Sequence, residues 1–355
     1  MCYTKARSDV YGDFPESQTD LWKGVAASLP TTHMNITVIG CGRWGSFIAW
    51  YLDSIGHNLT VYDKANSPAM KELLATRTNG VLTYPESIKL TVDLTEALAS
   101  DVIVISIPSQ VLRSLMGEIV PHKPQNKTFI LCMKGIEIST GRRLSEITSE
   151  FMCVDDADNN HVAVWIGPGH PQEFARGVPN CMVIDSAHAP TKEKLVNEFS
   201  SPLIRFYYGR DLIGNEVGAA AKNVIGIAAG MLDGKGVSSL KGALMSRATS
   251  EVARLIEAMG GDMRSAYGLC HLGDYEATVF SKFSHNRAFG EAYVKGEKFE
   301  KLAEGYYTAA AIENLCRKYG VEMPICQGIY KILYENASPD DILESLFSRS
   351  LKNEF

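Results

Sequence analysis

The sequence has no long apolar run and no excess of positive charge. None of its hydrophobic stretches reaches the roughly 18 residues that a membrane-spanning helix needs, and the most apolar one, 217–232, is interrupted by Lys222 and Asn223. The 355 residues include 35 Lys and Arg against 41 Asp and Glu, a net charge of −6, whereas a nucleic-acid-binding domain is usually basic. We therefore predict no transmembrane segment and no nucleic-acid partner.

The cysteines and histidines lack the spacing of a disulfide framework or a metal site. The eight cysteines include no CxxC pair, and Cys41 and Cys132 lie inside apolar runs, which favours buried free thiols in a reducing compartment. No His/Cys cluster has metal-ligand spacing, so no metal site is predicted. Residues 1–15 contain charges and no apolar core of a secretory signal. We expect a cytoplasmic protein.

The residue pattern changes near residue 209. From Asn35 onward, short β-branched runs alternate with helical stretches, and several of these runs are apolar on both faces, as buried parallel strands are. The predicted strands are 36–39, 59–62, 87–92, 102–107, 128–132, 162–166, 182–184 and 204–208. After Gly209 only helical patterns follow, at 215–232, 240–259, 284–294, 308–319 and 324–334.

These patterns predict three parts of the chain. Residues 34–209 should form an α/β doubly wound domain, and residues 210–355 an all-α domain. Residues 1–33 show no clear period and are either a flexible leader or an extension that precedes the true start at Met34.

A glycine-rich turn connects the first predicted strand to the first predicted helix. Gly40, Gly42 and Gly45 form a GxGxxG pattern, and Asp63 ends the next strand 18 residues later. In a Rossmann-type dinucleotide site, these glycines allow a tight turn, approach of a pyrophosphate and close helix–strand packing, in that order. Asp63 could bond a ribose 2′-hydroxyl, which favours NAD(H), whereas Lys64 could attract the 2′-phosphate of NADP(H). We favour NAD(H).

Two lysines are candidates for chemistry. Lys222 lies among the small residues of 218–229, so its helix should be buried, and burial lowers a lysine pKa towards the range useful in proton transfer to a carbonyl. The alternative is a lysine that reaches the surface from an amphipathic face. Lys134 follows a predicted strand, and such strand ends line a ligand crevice, although an ordinary loop lysine has the same pattern.

Further candidates follow a strand or begin a helix. The turn 167–171 comes directly after a predicted strand, so its backbone should face the same crevice. Ser284 stands at a helix start that could receive a phosphate, although a plain N-cap is the alternative. Asp274 could orient Lys222, while an aspartate in a turn is more often structural.

The chain from about 34 to 336 resembles the NAD(P)-dependent sn-glycerol-3-phosphate dehydrogenases. Blocks similar to those of the family follow one another in family order: GCGRWG at 40–45, KGIE at 134–137, GPGHPQEFARGVPN at 167–180, EVGAAAKNVIGIAAG at 216–230, GLCHLGDYEAT at 268–278, SHNRAFG at 284–290, AEGYYTA at 303–309 and GVEMPI at 320–325. The resemblance implies a 6-phosphogluconate-dehydrogenase-like fold. It also implies reversible reduction of dihydroxyacetone phosphate to sn-glycerol 3-phosphate for glycerophospholipid synthesis. A homodimer is the default expectation.

The resemblance also implies roles for individual residues. Lys222 corresponds to the proton donor and acceptor, and Lys134 and Asp274 to catalytic residues of the substrate pocket, with Lys134 also near the nicotinamide. The implied substrate-binding residues further include Gly167, Gly169, Ser284 and Asn286, the last two at a phosphate-binding cap. The implied cofactor contacts, beyond the glycine turn and Asp63, are Arg43, Trp44, Pro171, His285 and Glu304.

The sequence departs from the family pattern in three places. Gly169 stands where many members have Ser or Thr, His285 stands where Arg is usual, and the segment 290–304 is short. One alternative is a similar dehydrogenase for another phosphorylated ketone or 2-hydroxyacid, of 6-phosphogluconate or ketopantoate type, against which the blocks at 216–230 and 268–290 argue. The other is a non-catalytic NAD-binding regulator, which the presence of both lysines and Asp274 disfavours.

Overall fold

The computed structural model describes residues 32–153, 158–351 and 353. Of the predicted leader 1–33, the part up to residue 31 lies outside the described residues. The described chain divides into two compact units. The first contains the residues up to Met133 together with those of 145–165 and Gly169–Arg210, and the second contains Lys134–Leu144, Ile166–Pro168 and the residues from Asp211 onward. The second unit thus includes two segments that precede the predicted boundary at 209.

Eight strands form one sheet in the described part of the chain. They are β1 (Asn35–Ile39), β2 (Asn58–Tyr62), β3 (Lys89–Thr91), β4 (Val102–Ile105), β5 (Thr128–Leu131), β6 (His161–Ile166), β7 (Asn180–Ser186) and β8 (Ile204–Tyr208). Their spatial order is β3-β2-β1-β4-β5-β6-β7-β8. β1 lies parallel between β2 and β4, with Val38 opposite both Val61 and Val104. The strand order reverses at β1, as expected of a doubly wound sheet, and ligands bind at such switch points.

The helices that accompany the sheet include two that matter for the site, the first and the sixth. They are α1 (Arg43–Ser54), α2 (Pro68–Thr76), α3 (Leu94–Ala97), α4 (Leu112–Ile119), α5 (Leu144–Met152), α6 (Pro171–Phe174) and α7 (Ala189–Phe199), with 3₁₀ turns at Ser109–Val111 and Val120–His122. Gly56, at φ +113°, follows the last turn of α1, where a C′ glycine commonly ends a helix. Cys41 and Cys132 are buried as predicted.

The second unit is helical. Its helices are α8 (Leu212–Gly234), α9 (Lys241–Ala258), α10 (His285–Lys295), α11 (Glu304–Tyr319), α12 (Pro324–Tyr334) and α13 (Pro339–Phe347). The 3₁₀ turns lie at Ser238–Leu240, Met263–Tyr267 and Leu272–Asp274, and a π-helical turn spans Glu276–Phe280. As predicted, no strand occurs among the described residues after 209. In the described ranges, no helix is both long and apolar enough to cross a membrane.

Helix α8 forms the centre of this unit because its small residues let neighbours approach closely. Every residue from Gly214 to Leu232 is buried. A Cβ at Gly230 would lie 1.9 Å from the carbonyl oxygen of Arg287 on α10, and a Cβ at Gly290 would lie 2.0 Å from that of Ile227 on α8. The two helices therefore pack backbone against backbone through reciprocal glycines.

Some element ends differ from the predictions. The strand predicted over 87–92 is shortened to Lys89–Thr91, because the amide of Ile88 closes a turn onto the carbonyl of Pro85. The strand predicted over 102–107 ends at Ile105, shortly before Pro108, which has no N–H for a sheet ladder. Helix α11 begins at Glu304 and not at residue 308. Gly305 suggests a helix break in the sequence, but it is needed because a Cβ there would lie 2.5 Å from the carbonyl oxygen of Asn223.

Candidate active site

The three glycines of the turn after β1 have different surroundings. Gly40 has φ +99°, and a Cβ on it would lie 2.3 Å from the carbonyl oxygen of Ser106. A Cβ on Gly45 would lie 2.0 Å from the carbonyl oxygen of Gly40, so this glycine lets α1 pack against the turn. Gly42 is the N-cap of α1, and a Cβ there would meet no atom within 4 Å. The start of this 12-residue helix therefore stays open, with the space and polarity that a pyrophosphate needs.

Asp63 follows β2 and is tied to this turn. Its Oδ2 accepts hydrogen bonds from the Cys41 backbone amide at 3.3 Å, the Cys41 thiol at 3.1 Å and the Ser67 hydroxyl at 3.2 Å. Burial raises the pKa of the Cys41 thiol to about 12, so the thiol stays a neutral donor. The Nζ of Lys64 lies 2.8 Å from Oε1 of Glu118. A negative carboxylate thus stands beside the one cation that the sequence suggested for a 2′-phosphate.

The remaining residues predicted for the cofactor in the first unit lie on α1 and α6. Arg43 is the exposed first residue of α1, and Pro171 is the buried first residue of α6. Trp44 is half-buried, with its ring centroid 5.3 Å from that of Phe47 and 6.3 Å from that of Phe174.

The departure at Gly169 has a structural reason. Gly169 has φ +146°, and a Cβ on it would lie 2.3 Å from the ring of Phe174. That ring is buried and stacks on Phe47 with a centroid distance of 4.8 Å. The space of a side chain at position 169 is therefore filled by Phe174, and the hydroxyl found in many family members has no room here.

In the second unit, two lysines share one carboxylate oxygen. Oδ2 of Asp274 lies 2.8 Å from Nζ of Lys222 and 2.6 Å from Nζ of Lys134. Lys134 also donates to the carbonyl oxygen of Gly167 at 2.7 Å, and Lys222 donates to Oγ1 of Thr278 at 2.6 Å. The structure thus gathers four residues singled out in the sequence, Lys134, Gly167, Lys222 and Asp274. Thr278, which closes the GLCHLGDYEAT block, is an additional partner that the sequence interpretation missed.

The site is buried enough to change the chemistry of Lys222. Its side chain is 8% exposed and that of Asp274 is 1% exposed, so the interpretation of a lysine reaching the surface is wrong. Burial lowers the pKa of Lys222 to about 7; the negative charge of Asp274 opposes this effect and the positive charge of Lys134 adds to it. An amine with a pKa near 7 can both donate and accept a proton at neutral pH.

A chain of amides joins the helix start at Ser284 to Lys134. The amide of Asn223 donates to the carbonyl oxygen of Lys134 at 3.3 Å, and the amide of Asn286 donates to Oδ1 of Asn223 at 3.0 Å. Oδ1 of Asn286 accepts from the backbone of Gly305 at 2.9 Å. Asn223 was missed in the sequence, where its place beside Lys222 was the only signal.

The other residues of the predicted phosphate cap lie at the start of α10 and α11. Ser284 is the N-cap of α10, and its hydroxyl accepts from the amide of Arg287 at 3.3 Å. Nδ1 of His285 lies 3.2 Å from the carbonyl oxygen of Leu302, and Glu304 is the first residue of α11. In the described ranges, no group of three or more His, Cys, Asp or Glu side chains could hold a metal ion.

The first unit has a doubly wound sheet with an open glycine turn, and the second has a buried lysine with a pKa of about 7. Together these features define a nicotinamide-dinucleotide-dependent dehydrogenase. The models of the NAD-dependent glycerol-3-phosphate dehydrogenase N-terminus and C-terminus match residues 35–192 and 211–344. The chain belongs to this family.

The sequence similarity to individual relatives extends over about 90% of this chain. The chain is 33% identical to the glycerol-3-phosphate dehydrogenase (NAD(P)+) of Thermoanaerobacter sp. over 333 residues, which covers 90% of this chain and 99% of that protein. It is 35% identical to the enzyme of the same name from Corynebacterium glutamicum (strain R) over 335 residues, covering 90% of this chain and 100% of the relative. The crystal structure of glycerol-3-phosphate dehydrogenase from Coxiella burnetii has a TM-score of 0.82 at 26% identity, with coverage of 89% of this chain and 99% of that one.

Proposed function

We propose that this enzyme catalyses the reversible, NADH-dependent reduction of dihydroxyacetone phosphate to sn-glycerol 3-phosphate. The observation that carries the proposal is the buried Lys222, held by Asp274 and with a pKa of about 7. Relatives that are named for this activity match 90% of the chain at about one third identity.

The residues of the first unit fit a dinucleotide. Gly40, Gly42 and the start of α1 would hold the pyrophosphate, and Asp63 would accept from a ribose hydroxyl. When bound, the nicotinamide supplies the hydride for the ketone carbon. The pairing of Lys64 with Glu118 supports a preference for NAD(H) over NADP(H). The other proposed cofactor contacts are Gly45, Arg43, Trp44, Lys134, Pro171, His285 and Glu304.

Lys222 would donate a proton to the ketone oxygen as negative charge develops there. Asp274 favours the ammonium form before transfer, while Lys134 keeps a positive charge near the developing alkoxide. After transfer, Lys222 is neutral and can take the proton back when the reaction runs in the direction of oxidation.

The phosphate of the substrate would bind at the start of α10. Ser284, Asn286 and the N-terminal amides of this 11-residue helix present donors to an anion. Asn286 links this group to Lys134 through Asn223, which would keep the phosphate end and the reacting end of the substrate in register. Gly167 and Gly169 complete the proposed substrate-binding residues.

The loss of NADH absorbance with dihydroxyacetone phosphate tests the proposal. We expect Lys222→Ala to lower kcat by about 100-fold or more, the scale of general acid catalysis, and Lys318→Ala, an exposed lysine of the same unit, to leave kcat unchanged. A parallel assay with NADPH should give the lower rate. Near-normal turnover of Lys222→Ala would remove Lys222 from the mechanism. If only another phosphorylated ketone is turned over, the proposal of dihydroxyacetone phosphate as the substrate is wrong.

The pH dependence of the two directions provides an independent check. Reduction needs protonated Lys222, so kcat for reduction should fall as pH rises through about 7. Oxidation needs the neutral amine, so its kcat should rise over the same range. Profiles that move in the same direction in both assays would contradict the assignment.

Three broader properties are part of the proposal. The product would supply the backbone of glycerophospholipids, and the enzyme would act as a homodimer in the cytoplasm. The absence of a disulfide bond among the seven described cysteines supports a reducing compartment. Fractionation of cells that carry a tagged chain tests the location.

A further inference from the structure

A histidine–tyrosine pair lies beside the lysine–aspartate group and takes no part in the mechanism given above. His271 and Tyr275 flank Asp274 in sequence, and both are buried, with His271 fully inaccessible. The 3₁₀ turn Leu272–Asp274 lies between them, and the amide of Asp274 donates to the carbonyl oxygen of His271 at 3.0 Å.

The tautomer of His271 follows from its two partners. Nδ1 lies 2.9 Å from the carbonyl oxygen of Gly218, and because a carbonyl can only accept, Nδ1 carries the proton. Nε2 then accepts from the Tyr275 hydroxyl at 2.7 Å. Burial lowers the pKa of His271 to about 4, and the nearby charge of Lys222 adds to this effect while Asp274 opposes it. The ring is therefore neutral and makes one hydrogen bond through each of its two nitrogens, to Gly218 and to Tyr275.

This link joins the two elements that carry Asp274 and Lys222. Gly218 lies on α8 one helical turn before Lys222, so its carbonyl oxygen is the regular partner of the Lys222 amide. A Cβ on Gly218 would lie 3.0 Å from Cβ of His271, so the glycine allows the imidazole to approach the helix. The bond from His271 thus fixes the turn of Asp274 against the helical turn of Lys222.

We infer that His271, supported by Tyr275, is a positioning residue that holds the Asp274 carboxylate against Lys222 and so sets the proton affinity of Lys222. This inference rests on the proposed function of Lys222. The charged and titratable groups that face Lys222 are Asp274 and Lys134, together with the neutral His271. Without the link, Asp274 would move away from Lys222 and stabilise its ammonium form less.

The test is the pH profile of kcat for reduction in three variants. His271→Leu removes both hydrogen bonds, and we expect the midpoint of its falling limb to move about one pH unit lower, the scale of withdrawing an opposite charge from a buried group. His271→Asn keeps an amide donor for the Gly218 carbonyl, and its midpoint should stay near that of the wild type. KM for dihydroxyacetone phosphate should change less than about twofold in both variants, since Ser284 and Asn286 are unaltered.

Tyr275→Phe provides the test if His271→Leu does not fold. It removes only the hydroxyl that donates to His271, and its midpoint should move in the same direction by a smaller amount. The inference is wrong if His271→Leu or Tyr275→Phe folds and keeps the wild-type midpoint of the pH profile. A lower amount of active enzyme alone would indicate a purely structural role.

Lys222→Ala, assayed in parallel, separates this inference from the proposed function. If Lys222→Ala is inactive and the His271 variants keep the wild-type midpoint, the positioning role alone fails. If Lys222→Ala is active, the proposed function fails first.

Discussion

At the scale of single residues, the glycines near β1 differ in what a methyl group would meet. We predict that Gly42→Ala leaves the melting temperature of the free protein unchanged, because a Cβ there meets no atom within 4 Å. The same methyl group would stand where a pyrophosphate approaches, so NADH should bind about tenfold more weakly or worse, about 1.4 kcal/mol. Titration of NADH fluorescence measures the affinity, and thermal unfolding measures the stability.

Gly40→Ala is the matched control for this prediction. At φ +99° and with a Cβ 2.3 Å from the carbonyl oxygen of Ser106, alanine is strained whether or not a cofactor is bound. This variant should unfold at a lower temperature. Equal loss of stability in the two variants would show that the start of α1 is not open.

A second prediction concerns the departure at Gly169. Gly169→Ser should destabilise the protein by about 1–3 kcal/mol, because its Cβ would overlap the buried Phe174 ring and its φ of +146° is unfavourable for serine. Adding Phe174→Val to this variant should recover part of the loss, although Phe174→Val alone removes a ring stacked on Phe47. Chemical denaturation of the four proteins gives the coupling, and strictly additive losses would argue against shared space.

The site residues were predictable from the sequence to different degrees. The small residues around Lys222 indicate a buried lysine, and the position of Lys134 directly after a strand indicates a residue of the ligand crevice. Their sharing of Oδ2 of Asp274 was not predictable, since Lys134 and Asp274 are 140 positions apart. Asn223 and Thr278 gave no separate signal, because an asparagine or threonine in a helical stretch has many ordinary roles.

At the scale of elements, helix α12 begins against a carboxylate from another helix. Glu251 on α9 accepts from the backbone amides of Ile325 at 3.0 Å and Cys326 at 3.4 Å, in the first turn of α12. Its side chain thereby does what an N-cap side chain does, but from a distant part of the sequence. Burial raises the pKa of Glu251 to about 7, while these two amides lower it.

This arrangement predicts a pH-dependent stability. The folded pKa of Glu251 lies above the usual 4.5, so its contribution to stability is fully present below pH 4.5 and is lost as pH rises through about 7. The loss is about 3 kcal/mol for a shift of this size. Glu251→Gln keeps an oxygen acceptor without the charge, so its free energy of unfolding should exceed that of the wild type at pH 8.

Urea unfolding of both proteins at pH 5 and pH 8 provides the measurement. The two proteins should be nearly equally stable at pH 5. Equal stability at pH 8 as well would show that Glu251 ionises inside the protein at little cost.

The elements themselves were largely predictable, and their exceptions have local causes. Eight predicted runs correspond to the eight strands of the described sheet, and a fully buried strand such as β4 is apolar on both faces. The early start of α11 was hidden because Gly305 has a packing role that the sequence does not reveal. The π-helical turn Glu276–Phe280, which carries Thr278, has no sequence signature.

At the scale of the whole molecule, we predict a homodimer in solution. Closed twofold dimers are the commonest assemblies of soluble enzymes. Size-exclusion chromatography with light scattering should give twice the mass of the chain over a tenfold range of concentration. A mass of one chain throughout that range would contradict the prediction.

The division into units could not be predicted from the sequence alone, because a change of pattern near 209 suggests a single boundary. The described chain instead passes between the two units five times, as the segments Lys134–Leu144 and Ile166–Pro168 belong with the helices. Short segments of this kind carry no compositional signal. Their grouping depends on side chains such as Ile136, which is buried in the hydrophobic core of the second unit.

This interleaving has a consequence for how the protein can be made. During synthesis, Lys134 and Gly167 leave the ribosome long before Asp274, so the lysine–aspartate group can close only after a loop of 140 residues has been translated. A gene cut at residue 210 would leave Lys134 and Gly167 on the other fragment. Any exchange of helical units between relatives must therefore carry these two short segments along with residues 211 onward.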